Sequence, residues 1–135
     1  METVIWHNPA CGTSRNTLAL ICHAGVEPRV VAYVDHPPSR EDLCALIRDA
    51  GITTREAVRE KDLGKLGLPP IAPDTGDEAL LDLLLAHPRL IQRPFVRTPL
   101  GVRLARPSEQ VLPILPPLPG AFTKEDGEVV PPLPG

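Results

Sequence analysis

A short apolar strand, a cysteine and a helix, in that order, are what most limit the folds open to this chain. Thr3-Val4-Ile5-Trp6 reads as a buried strand, and His7-Asn8-Pro9-Ala10 as the loop that leaves it. Cys11 then opens a helix in which Leu18, Ile21, Cys22 and Gly25 fall on the i, i+3, i+4, i+7 stripe, with Gly25 placed to end it. Arg29-Val30-Val31-Ala32-Tyr33-Val34 predicts a second strand, stopped by Pro37-Pro38. A strand–helix–strand opening folds as a parallel pair with a right-handed crossover. Cys11 therefore stands over the unpaired N–H groups of the helix start. Those dipoles favour the thiolate and can lower a cysteine pKa from about 8.5 into the range of roughly 3.5–7.5.

Beyond the second strand, Ser39 and Asp42 form an approximate capping box for a helix with Leu43, Leu46, Ile47 and Ala50 on one face, closed by Gly51. Thr53 with Glu56 predicts a short third helix through Val58 and Arg59. Thr75 with Glu78 predicts a fourth, carrying Leu80, Leu83 and Leu84 and stopped by His87-Pro88. Strands return at Phe95–Thr98 and Val102–Ala105, joined by Pro99-Leu100-Gly101, and Pro107-Ser108 opens a last short helix through Leu112. The expected fold is α/β: a thioredoxin-like mixed sheet of about four strands, with a helical insertion between the βαβ start and the C-terminal ββα. Residues 1–128 read as a single domain. Residues 129–135 read as a proline-rich tail, in which Pro131-Pro132-Leu133-Pro134-Gly135 repeats Pro116-Pro117-Leu118-Pro119-Gly120 word for word.

Charge narrows the class of partner. A net charge of −3 and a pI near 5.8 argue against nucleic-acid binding. The sequence shows neither an apolar leader nor a long apolar run, so a membrane is not expected and the cytoplasm is. Three cysteines, an odd number, suit a reducing compartment with one working thiol better than a disulfide framework. Against the acidic total, Arg89, Arg93, Arg97, Arg103 and Arg106 follow one another with no intervening acid. That excess predicts a basin for a small anion, two or three of the five being solvated.

Several chemistries are open to a cysteine at this place. A Cys-x-x-Cys oxidoreductase would need a thiol where Ser14 stands, and a phosphatase loop would need an arginine where Thr17 stands. Cys22 lies eleven residues along the helix, about 16 Å away against a limit of about 7 Å for bridged Cα atoms. Cys22 and Cys44 are expected to be buried structural thiols. His7, His23, His36 and His87 are scattered, so no metal site is predicted. What remains is a monothiol nucleophile attacking an anion, with Arg93 and Arg106, each held extended before a proline, presenting paired donors to a tetrahedral oxyanion. His7 ends the first strand beside the thiol and, if protonated, would stabilise the thiolate.

His7-Asn8-Pro9-Ala10-Cys11-Gly12-Thr13-Ser14-Arg15-Asn16-Thr17-Leu18 resembles the active-site signature of the glutaredoxin-coupled arsenate reductases. The resemblance continues through Arg93-Pro94, Thr98-Pro99-Leu100-Gly101, Arg106-Pro107-Ser108-Glu109 and Gly120 to Glu128. It implies that Cys11 attacks arsenate, that Arg59, Arg93 and Arg106 hold the oxyanion, that His7 favours the thiolate, and that the bond at Pro94 is cis. The place of Arg59 rests on the resemblance alone. Also implied are glutathione as co-substrate, glutaredoxin as partner and no bound cofactor. Two other readings stay open. One is a glutathione-dependent thiol reductase without arsenate activity. The other is a regulator of the Spx type, against which Ser14 in place of a second cysteine counts.

Overall fold

The computed structural model describes residues 2–133. They group into two compact units, one running to Ala32 and resuming at Arg93, the other spanning Tyr33–Gln92. The first unit contains strands β1 (Val4–His7) and β2 (Arg29–Ala32), linked by helix α1 (Gly12–His23). It continues with β3 (Phe95–Thr98) and β4 (Gly101–Leu104). The sheet order is β2-β1-β3-β4, with β1 parallel to β2 and the other pairs antiparallel. This is the thioredoxin-like mixed sheet that the sequence predicts.

β1 is buried along its whole length, and one of its faces meets α1. Ile5 packs with Leu20 and Ile21 of α1, with Val96 of β3, and with Val111. Gly25, at φ +82°, ends α1 in the left-handed region where a side chain would be strained. β2 stops at Ala32, two residues short of the expected end, because Tyr33 turns away to a buried position where its hydroxyl donates to the Ile91 carbonyl. The β3–β4 hairpin pairs Thr98 with Gly101, so Pro99-Leu100 alone make the turn.

The last helix is a 3₁₀ segment, Ser108–Ile114, and Pro113 within it removes a backbone donor. A two-stranded ribbon that the sequence reading missed follows, β5 (Phe122–Thr123) against β6 (Val129–Val130). Residues 129 and 130, expected within the tail, pair as strand instead, and Val130 is buried in the core with Ile5 and Leu20. Leu133 shares an apolar pocket with Leu118 of the first proline-rich copy. Pro134 and Gly135 of the second copy lie outside the described residues.

The second unit is built from α2 (Arg40–Asp49), α3 (Asp77–Ala86) and short 3₁₀ turns. Ser39 caps α2, its hydroxyl accepting from the Asp42 N–H at 3.1 Å. The Thr53–Glu56 box also forms, each side chain accepting from the other's backbone N–H. It closes over Arg55–Ala57 only. Val58 is extended and bridges Ile91, while the Arg59 N–H donates to the Leu90 carbonyl. Main-chain pairing to residues 90–92 thus replaces the next helical turn, and Arg59 lies outside the helix expected to contain it. Thr75 does not cap α3: its N–H closes the preceding turn on Ala72, and Gly76 takes the cap position.

Candidate active site

The loop between β1 and α1 folds on its own polar groups. Asn8 Oδ1 accepts from the Ala10 N–H at 2.9 Å, and the Asn8 carbonyl accepts from the Cys11 N–H at 3.0 Å. Cys11 takes the N-cap position with extended backbone (φ −102°, ψ 122°), and its carbonyl accepts the first helical bond, from Arg15. Its side chain is thereby held where a helix N–H ordinarily finds a capping acceptor.

Two arginines from the other end of the chain meet this sulfur. Arg106 Nη1 lies 3.8 Å from Cys11 Sγ and also donates to the Arg93 carbonyl at 2.9 Å. Arg93 is buried, and the bonds Arg93–Pro94 and Arg106–Pro107 are both cis. Burial pushes the Cys11 thiol up. The Ser14 backbone N–H, donors from Arg106 and Arg93, and the Arg93 charge outweigh it, so the net pKa lies below the ordinary thiol value. Of the other arginines in the run, Arg97 stacks over Trp6 at 5.2 Å and Arg103 donates to Gln110, both away from the sulfur's contacts.

Ser14 is fully buried, and its hydroxyl joins His7 Nδ1 at 2.7 Å while accepting from the Asn8 N–H at 3.0 Å. It therefore ties the end of β1 to the first turn of α1. Burial and the nearby Arg15 charge lower the His7 pKa from the usual imidazole value, which favours the neutral ring. A protonated His7, the form in which it would support the thiolate by charge, is the one these surroundings disfavour. Sequence reasoning passed over Ser14 as a missing thiol. Its position three residues after the N-cap was the available signal.

Arg59 belongs to the Tyr33–Gln92 unit. There its Nε pairs with Asp62 Oδ2 at 3.2 Å and its Nη1 donates to Gln92 Oε1 at 3.4 Å. Cys22 and Cys44 are both exposed, against the expectation of buried structural thiols: one faces outward from the last turns of α1, the other from the polar face of α2. Among the described residues, no cluster of three or more His, Cys, Asp or Glu side chains is arranged to hold a metal ion. Nor is any helix there long and apolar enough to cross a membrane.

A cysteine at the start of a helix, fed by arginines that precede proline residues in a thioredoxin-like sheet, defines a recognised class. The ArsC family model matches residues 6–114, and the chain belongs to the ArsC family. An arsenate reductase of Rhizobium meliloti (strain 1021) is 59% identical over 133 residues, covering 96% of this chain and 94% of its own length. One from Escherichia coli is 54% identical over 130 residues, covering 93% and 90%. Among solved structures, an arsenate reductase from Vibrio cholerae aligns with a TM-score of 0.75 at 41% identity, over 85% of this chain and 98% of its own.

Proposed function

We propose that this protein is an arsenate reductase that works through the single nucleophile Cys11, with glutathione and glutaredoxin as external reductants. The observation that carries the reading is the 3.8 Å approach of Arg106 to a Cys11 sulfur whose pKa is lowered. A thiolate is the attacking species, and a fixed cation beside it both keeps it ionised and meets the oxyanion that it attacks. Arsenate reductase activity is supported by the relatives named above and by their coverage of nearly the whole chain.

The Cys11 thiolate attacks arsenic(V), an As–S bond forms, and a protonated arsenate oxygen leaves as water. Arg93 and Arg106 hold the remaining oxygens and take up the charge that gathers on them. The family resemblance alone implies Arg59 as a third oxyanion ligand. His7 acts as a neutral ring that fixes Ser14, and through it the N–H aimed at the sulfur. Arsenic(V) becomes arsenic(III) by taking two electrons from two outside thiols, those of glutathione and glutaredoxin, which leave as a mixed disulfide with loss of two protons. Cys11 is released as a thiol. Ser14 in place of a resolving cysteine accords with this dependence, and a reducing cytoplasm suits it.

NADPH oxidation followed in the presence of glutathione, glutaredoxin and glutathione reductase tests the whole cycle. An arsenate-dependent rate that vanishes in Cys11→Ser is expected. The absence of any arsenate-dependent rate overturns the assignment.

A further inference from the structure

The segment Lys124–Glu128 joins β5 to β6 beyond the last residue matched by the family model. It touches both pieces of chain that form the sulfur site. Arg15, in the first turn of α1, gives Nε and Nη2 to the two oxygens of Glu125, at 2.9 and 3.0 Å. Its Nη1 donates to the Pro9 carbonyl at 2.7 Å, in the loop just before Cys11. The Glu125 N–H completes the attachment by donating to Asn16 Oδ1 at 3.1 Å. One planar guanidinium thus clamps the cysteine loop to the ribbon, which a lysine's single point of charge cannot do.

The neighbouring residue reaches the other piece. Lys124 Nζ lies 2.6 Å from Glu109 Oε1 and 3.1 Å from Glu128 Oε1, with its side chain only 9% exposed. Glu109 follows Arg106-Pro107-Ser108 and accepts from the Ser108 hydroxyl at 3.0 Å. Consecutive side chains of the ribbon therefore hold the segment that bears the sulfur and the segment that bears the guanidinium beside it. The ribbon is itself anchored, since Val130 is buried in the core.

We propose that Lys124 and Glu125 are positioning residues that together set the distance between Cys11 Sγ and Arg106. The inference rests on the assignment of Cys11 as the nucleophile but not on arsenate being its substrate. Arg15 needs Glu125 because a long side chain loses rotamer freedom when fixed on a single carbonyl. With the fork in place, the Pro9 bond forms on a guanidinium that is already ordered. The charged groups that act on the sulfur are Arg93, Arg106 and Arg15, with His7 near Arg15 and Glu125 behind it.

The pH dependence of Cys11 alkylation by iodoacetamide, read by mass spectrometry of the Cys11 peptide, separates bracing from simple charge. Through space, losing the Glu125 charge lowers the thiol pKa and losing the Lys124 charge raises it. Bracing moves both the same way, because Arg106 retreats from the sulfur in either variant. The expected result is that Glu125→Gln and Lys124→Met each raise the alkylation midpoint by about one pH unit, a tenfold loss of thiolate below it. Circular dichroism is expected to show both folded. Arg15→Lys, which keeps the charge and loses the fork, is expected to raise the midpoint too, and it decides the matter if Glu125→Gln does not fold. A midpoint that falls or stays put in Glu125→Gln, or in Arg15→Lys where that variant stands in, overturns the proposal. Alkylation needs no arsenate, so a wild-type protein inactive on arsenate would sink the functional assignment while leaving this test readable.

Discussion

In the Tyr33–Gln92 unit, Arg40 is held by Glu78 and Asp82, Arg55 by Glu60 and the carbonyls of Ile71 and Ala72, and Arg59 by Asp62 and Gln92. In the unit that contains Cys11, Arg106 donates instead to a sulfur and to a peptide carbonyl. The contrast separates two uses of the same side chain. A guanidinium already matched by a carboxylate must share or release it before an incoming anion gains much. One that faces a reactive thiolate is freed as that sulfur spends its charge in forming a bond, so its donors can pass to an oxyanion arriving there. The sequence run from Arg89 to Arg106 hints at this, since no acid interrupts it.

Variants that probe the contrast fall in a clear order. Cys11→Ser is expected to cost on the order of 10⁶-fold in arsenate turnover, the scale of loss when a nucleophile is removed, in the coupled NADPH assay. Next, Arg106→Ala is expected to lower kcat/KM for arsenate by about 10²–10³-fold, the usual loss when a donor to a developing oxyanion is removed. Arg59→Ala should cost only about tenfold, near 1.4 kcal/mol, because Asp62 already holds that side chain. A loss from Arg59→Ala equal to that from Arg106→Ala would break the comparison.

A smaller effect concerns pH. The folded pKa of His7 lies below its ordinary value of 6.5, so folding favours the neutral ring. Its contribution to stability is full above pH 6.5 and is lost as pH falls through the lowered folded value. The thermal midpoint, followed by circular dichroism, should therefore decline on acidification below 6.5, and His7→Gln should flatten part of that decline. The smallest effect of all is expected from Cys22→Ser and Cys44→Ser, each within about twofold of wild-type turnover, exposed thiols being ordinary surface positions.

Much of the sulfur-bearing unit is legible in the sequence because its signals are local. The apolar run of β1, the stripe of α1 and the position of Cys11 at the cap all follow from residues within one element. So does the hairpin between Thr98 and Gly101. The misreadings share a different cause. Arg59 left its expected helix because Ala57–Arg59 pair with residues 90–92, more than thirty positions on, and no local pattern announces that. Thr75 lost its cap role to a turn closed on Ala72. The β5–β6 ribbon consists of two two-residue strands, too short for any period to show, and it is held by side chains about 110 positions apart in sequence. Arg93 and Arg106 stand out in the sequence by their type and by the proline that follows each. That Arg106 would stand against Cys11 required the fold.

The hydroxyl of Ser14 has a consequence for how this protein's chemistry could change over time. A single codon change would put a second thiol there, in the spacing that lets many redox proteins regenerate themselves. Yet the site is sealed, and the oxygen already serves His7 and Asn8. A larger sulfur, a poor hydrogen-bond acceptor, would loosen both attachments. A thiol at this position would therefore give up the tie between the end of β1 and the first turn of α1 before it gained any chemistry of its own.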